Sequence, residues 1–426
     1  MTSSVPAPAP LGAPDAAGDP AGPTRRSRFG LLPRILVAIV LGVLLGLVMP
    51  EAIARVFTTF NGIFSNFLGF LIPLIIVGLV TPAIAELGRG AGKMLAATTG
   101  IAYLSTILAG GFALTVALLV LPRMLDGVSV GSLDNPEDSA IAPYFAIEIP
   151  PVFDVMTALV LSFCLGIGLT VVRPGALQES FVQLRDIIVR IIEVALIPLL
   201  PIYIFGMFLG LTMNGQIWIV IGTFLAVIVL VFTMTILVLL AQYGVAGLAT
   251  GQNPLRMLAR MAPAYATALG TSSSAATIPV TLECTKRNGV PAAIADFVVP
   301  LCATIHLAGS TLKITTFSVA IMIITGMDLN LPVLIGFVFM LGVVMIAAPG
   351  VPGGAIMAAA GILSSMLGFG EAAVGLMIAS YIAIDSFGTA TNVTGDGAIA
   401  AVMGRLSRGR VSGDLSAEEA PHVQGV

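Results

Sequence analysis

Charge is scarce in this sequence: only 10% of its 426 residues are Asp, Glu, Lys or Arg. A soluble domain carries about 25%, so this composition excludes a water-facing surface over most of the chain. With 57% hydrophobic residues and a mean hydropathy of +1.05, the chain reads as an all-α integral membrane protein. At about 20 apolar residues per span there is room for about eight crossings plus shorter segments. Cysteine is also sparse. Cys164, Cys284 and Cys302 are odd in number and lack metal-ligand spacing, which argues against a disulfide framework and fits small buried apolar residues. A net charge of −3, with the basic residues near segment ends, gives no footing for a nucleic-acid partner. No P-loop motif is present and the polar segments are too short to hold a nucleotide-hydrolysing domain. Any transport would therefore run on ion gradients, with no organic cofactor.

What is present is a succession of apolar runs. Residues 1–30 are rich in Pro, Ala and Gly and read as a disordered tail. Arg25, Arg26, Arg28 and Arg34 precede or open the first apolar run, and Arg405, Arg408 and Arg410 follow the last one. A cleaved signal peptide would share the first pattern, but the many spans that follow favour a signal anchor. The positive-inside rule then places both ends, including a second tail at 406–426, in the cytoplasm and demands an even number of crossings. The first half carries apolar segments at about 31–49, 59–86, 95–122, 151–173, 180–212 and 216–245. The polar stretch 123–150 reads as an extracellular loop.

Two segments of the second half are apolar but interrupted. Residues 253–285 contain TALGTSSSAATIP, and residues 331–367 contain AAPGVPGGAIM. Serine runs and Pro/Gly clusters stop helices and reverse the chain. Unpaired backbone at membrane depth is tolerated only inside protein or along a cavity. Each interrupted segment is followed by a long apolar run, at about 290–323 and 372–404. The repetition predicts an inverted repeat with two re-entrant hairpins around a midplane site.

The last run holds the polar residues of most interest. At about 100° per residue, Asp385, Thr389, Asn392 and Asp396 fall at roughly 0°, 40°, 340° and 20° on one continuous helix. A carboxylate at mid-membrane costs at least about 2.5 kcal/mol, so two on one face imply partners. A bound cation or a substrate ammonium is the simplest reading; hydrogen bonds to neighbouring helices are the plainer one. The serine run offers hydroxyls and free helix-start N–H groups suited to a carboxylate, or else is a simple polar turn. The Gly/Pro cluster allows close backbone approach and lid movement, or else merely kinks a helix. His306 and Lys313 lie seven residues apart and share a face. A lone buried His is more often structural than a ligand, whereas a buried Lys needs an acceptor. Glu193, Arg185 and Arg190 can snorkel or pair near a membrane surface and carry no functional assignment.

The blocks SSSAATIP, ATIHLAGST, GVPGGAI and NVTGD, in this order and spacing, resemble the dicarboxylate/amino acid:cation symporter family over residues 30–405. The resemblance implies eight membrane helices with two re-entrant hairpins, assembled as a homotrimer in the inner membrane. Residues 31–245 would form mainly the scaffold, with the third span joining a transport domain at 253–405 that moves as an elevator. Carried over by motif, Asp385 looks like the carboxylate for the substrate ammonium and Asn392 like a ligand of the substrate backbone. Thr389, Ser272, Ser273, Ser274, Ser310 and Gly388 would complete the pocket, with Val351 and Gly354 at the second hairpin tip. Asp396 looks like a sodium ligand shared with Asn392. Thr304, Leu307, Met345, Ile346 and Ala348 match a second, mostly carbonyl, sodium site. Cys302 and His306 complete the implied cation-ligand set.

Departures from the family pattern narrow the expected cargo. Acidic-substrate members place an arginine where this sequence has Gly388, and other arginine positions are Ser272 and Tyr381. A second substrate carboxylate would be left unpaired in a desolvated pocket, so a small neutral amino acid (serine, threonine or alanine) co-transported with sodium is expected. Ala308 stands where the family has an acidic residue and resembles the serine/threonine branch. With His306 in place of an asparagine, this implies fewer coupled sodium ions; Tyr103, Ser105 and Thr106 are further candidates for that region. The other readings are a symporter of an acidic amino acid or C4-dicarboxylate, an ion channel, and an intramembrane protease using Ser273 or Ser274 with His306.

Overall fold

The computed structural model describes residues 31–89, 93–126, 141–173, 175–348 and 352–407. All regular secondary structure among these residues is helical, with no strand, and residues 141–154 lead into α4 without helix. The first half comprises α1 (Leu31–Gly46), α2 (Glu51–Arg89), α3 (Lys93–Met124), α4 (Val155–Val171), α5 (Ala176–Ile191), α6 (Ile197–Met213) and α7 (Ile217–Thr250). Helices α5 and α6 run on through a π-turn at Ile192–Leu196. Pro198 and Pro201 just beyond it withhold two N–H donors, which accounts for the change in helical register. Small residues set the packing. Gly42 and Gly46 let α1 approach α6 so closely that a Cβ on Gly46 would stand 2.6 Å from Cβ of Thr212.

The second half follows the interrupted pattern. The first hairpin is α8 (Pro254–Arg260), α9 (Ala262–Thr271) and α10 (Ser274–Arg287), reversing at Ser272 and Ser273. Helices α11 (Ala292–Ile305) and α12 (Ala308–Ile324) come next, separated at His306 and Leu307. The second hairpin is α13 (Leu331–Ile346) and α14 (Gly354–Leu367), followed by α15 (Glu371–Ala383) and α16 (Asp385–Leu406). The single long helix expected at 372–404 is corrected here: α15 and α16 are bent by 63° at Ile384. The expected tail at 1–30 and parts of three other expected features, the loop at 123–150, the second hairpin's tip and the tail at 406–426, lie outside the described residues (127–140, 349–351 and 408–426).

Five segments are long and apolar enough to cross a bilayer: Glu51–Ala85, Lys93–Met124, Ala176–Met213, Ile217–Thr250 and Ala292–Ile324. The bent pair α15/α16 makes a sixth. Eight crossings would require α1 and α4 as well, which at 16 and 17 residues rise only about 24–26 Å against a hydrocarbon core of about 30 Å. Large aliphatics face outward as well as inward. Leu36, Val40, Leu104, Leu108, Val229 and Leu248 are exposed, as expected of a surface bathed in lipid. Every residue of α12 except Ile323 is buried, and only Phe387, Val402, Arg405 and Leu406 of α16 are not. These two polar helices form the centre, with α3 packed along α12 and α13.

Candidate functional site

Four interruptions of the helical backbone meet at one place. The N-terminus of α10 is capped by Ser273, whose hydroxyl accepts from Ala276 N–H. The N-terminus of α14 follows Gly353, which sits at φ +75°, a conformation open to glycine and strained for other residues. The N-termini of α12 and α16 follow the breaks at Leu307 and Ile384. Each helix start leaves backbone N–H groups without intrahelical acceptors, and side chains of the opposite elements take them up. Gly309 N–H donates to Asn392 Oδ1 at 2.8 Å, and Gly353 N–H donates to Asp385 Oδ2 at 2.9 Å. Ser272, the one non-glycine residue at positive φ among the described residues, places its Oγ 2.7 Å from that of Ser386.

These contacts surround a cavity of about 30 Å³ lined by Ser272, Ser274, Thr304, Leu307, Ser310, Ala348, Gly354, Asp385, Thr389 and Asn392, with Ala303, Ala355 and Tyr381. Most residues singled out from the sequence as substrate or sodium ligands thus share one wall-to-wall space. At that volume it has room for one or two waters and is too small for an amino acid. Within it, Ser310 Oγ accepts from Tyr381 OH at 2.8 Å and from Asn392 Nδ2 at 3.1 Å, and Thr389 Oγ1 donates to the backbone oxygen of Asp385.

Other expected residues lie elsewhere. Ser273 is turned to its capping role and does not line the cavity. Val351 lies outside the described residues. Met345 and Ile346 end α13 with their side chains in apolar packing, so only their end-of-helix carbonyls are available to a cation. Cys302 is fully buried in the apolar cluster around α11 and α16.

The stripe of polar residues on α16 does share a face, but its two carboxylates have protein partners. Asp385 Oδ1 lies 3.4 Å from Lys313 Nζ, which also donates to the backbone oxygens of Ile384 and Asp385 at 3.3 and 3.4 Å. The same ammonium sits 3.8 Å from the centre of the Tyr381 ring. Asp396 Oδ1 lies 2.9 Å from His306 Nδ1. His306 Nε2 in turn lies 3.1 Å from Ser105 Oγ and 3.4 Å from Gln242 Nε2, so the protease reading, which required His306 beside Ser273 or Ser274, finds its histidine committed elsewhere. The other Asp396 oxygen, Oδ2, is buried without a hydrogen-bond partner. A carboxylate oxygen left in that condition fits a cation. No three His, Cys, Asp or Glu side chains cluster among the described residues.

Sequence reasoning missed Gln242 and the donor at Gly353. Gln242 carried a legible signal, as the only amide or charged residue in the 34-residue apolar helix α7. Gly353 carried none beyond its place in a Gly/Pro cluster.

Known proteins resemble this chain over much of its length. The profile of the sodium:dicarboxylate symporter family matches residues 31–406. The serine/threonine transporter SstT of Acinetobacter baumannii (strain AYE) is 26% identical over 384 residues, covering 87% of this chain and 95% of that protein. Excitatory amino acid transporter 1 of Rattus norvegicus is 32% identical over 259 residues, covering 59% of this chain and 47% of that protein. The human protein of the same name is 31% identical over the same length. The matched region is thus about half the length of the excitatory transporters. With the family profile covering nearly all of the helical chain, this multi-pass membrane protein belongs to the sodium:dicarboxylate symporter family.

Proposed function

We propose that the protein is a secondary-active symporter that imports a small neutral amino acid, of the serine, threonine or alanine kind, together with sodium. The cargo binds between the hairpin tips, with its ammonium at Asp385 and its carboxylate at the α10 start and Asn392. A transport domain of residues 253–405 with α3 carries it across the inner membrane against a homotrimeric scaffold. The observation that carries the reading is the composition of the cavity. It offers one carboxylate, several hydroxyls and an amide, and no Arg or Lys among its described lining residues. An amino acid's two charges find partners there, while a second carboxylate would not. The orphaned Asp396 Oδ2 supports a cation site beside it.

The acidic-substrate reading has one observation in its favour, the Lys313 ammonium beside Gly388. That ammonium stands behind Asp385 and Tyr381 and does not line the cavity, so the neutral reading is preferred. A thermal-shift screen of the twenty amino acids, with and without sodium, tests it. Stabilisation by serine, threonine or alanine that depends on sodium and is lost in Asp385→Asn is expected. Selective stabilisation by aspartate or a C4-dicarboxylate would overturn it.

A further inference from the structure

Lys313 and Gly388 fit together in a way that the cargo reading does not explain. A Cβ on Gly388 would stand 2.3 Å from Cε and 2.4 Å from Nζ of Lys313, so the lysine fills the space where a side chain of α16 would be. The Nζ is fully enclosed, and its three N–H donors meet three acceptors: the backbone oxygens of Ile384 and Asp385 and the Asp385 carboxylate. All three contacts are 3.3–3.4 Å, beyond the usual 2.7–3.2 Å for such bonds. They form a paired but loosely held ion pair. The other carboxylate oxygen of Asp385 holds Gly353 at the second hairpin's tip.

We infer that Lys313 sets the affinity of the cargo site: it is a tethered ammonium that rivals the ammonium of an amino acid for Asp385. The inference rests on the proposed cargo site. An incoming amino acid must take over Oδ1 of Asp385 from Lys313, so its measured affinity includes that displacement. Between cargoes the lysine restores the pair, and the site closes without an uncompensated carboxylate at its centre. Substrate binding is thereby weakened, and the return of the carrier without cargo is made possible.

The test uses the full chain in proteoliposomes, with L-serine as the probe. Lys313→Met keeps the bulk and removes the charge. It is expected to lower the serine Kd by about tenfold. It is also expected to raise the ratio of serine exchange to net uptake by about tenfold, since only net uptake needs the cargo-free return. Gly388→Ala keeps every charge but crowds Lys313 away from Asp385, and should tighten serine binding in the same direction by a smaller factor. Should Lys313→Met fail to fold, Gly388→Ala decides alone. Unchanged or weaker serine binding in the variants overturns the inference, as does a proportionate fall of exchange and net uptake. Loss of binding in Lys313→Met alone would put the ammonium on the cargo itself and also overturn it. A wild type that binds no neutral amino acid removes the proposed cargo and the inference together. A wild type that binds serine, with variants that bind it no better, removes the inference alone.

Discussion

Asp396 and His306 are both almost wholly inaccessible, and each satisfies half of the other's needs. One carboxylate oxygen meets the imidazole, and the other has no protein partner. A sodium ion held there would share its main anionic ligand with His306. We therefore expect Asp396→Asn to raise the sodium concentration for half-maximal uptake by about tenfold or more, equivalent to about 1.4 kcal/mol; an unchanged sodium titration would remove Asp396 from the cation path. Reversal potentials in proteoliposomes should show fewer sodium ions per cargo than in acidic-substrate members. His306→Ala should alter that count, and a full count unaffected by the substitution would dismiss this part of the account. At this scale the sequence was informative about types and spacing but silent about partners. Asp385, Thr389, Asn392 and Asp396 could be placed on one face from helical geometry alone. That Lys313 and His306 complete the two acids could not, because both come from segments brought in by tertiary packing.

The helix breaks show the same division. Both hairpins were legible because their reversals are written in residues that stop helices, the Ser272–Ser274 run and the Pro/Gly cluster before Gly354. The bend of 63° at Ile384 was not. Its neighbours Ala383, Ile384 and Asp385 include no Gly or Pro, so nothing local marks it. It is held by tertiary contacts, with Lys313 bonded to the two carbonyls exposed at the break. On the facing side, Gly353 couples the second hairpin to the same break through Asp385 Oδ2. Gly353→Ala would add about 1–2 kcal/mol of left-handed strain with ordinary contacts to Ile382 at 3.5–3.6 Å. The hydrogen bond from Gly353 to Asp385 should loosen and serine should dissociate about fivefold to thirtyfold faster. A dissociation rate equal to wild type would show that the tip does not gate the site.

Across the molecule, large aliphatics lie both in the core and on the outer surface, while Asp385, Asn392, Asp396, His306 and Lys313 are buried among them. Less predictable was how the first and second halves touch. Helix α14 meets α2 and α4 through Gly361, where a Cβ would stand 2.6 Å from Ile72 and 3.0 Å from Val155. Helix α15 meets α6 through Gly375, where a Cβ would stand 2.3 Å from the hydroxyl of Tyr203. At both places a bulky side chain of the first half seats against a glycine of the second. Gly361→Leu should overpack this contact and obstruct movement of the proposed transport domain past the scaffold, leaving serine affinity within about twofold while abolishing uptake. Parallel loss of binding and uptake would instead make Gly361 a folding residue. The most direct measurement of the whole account is uptake of radiolabelled L-serine into proteoliposomes under an inward sodium gradient, with excess unlabelled L-aspartate as competitor. The account predicts concentrative uptake that stops when sodium is replaced by potassium, persists in aspartate and is absent in Asp385→Asn. Uptake that ignores sodium, or that aspartate abolishes, would contradict it.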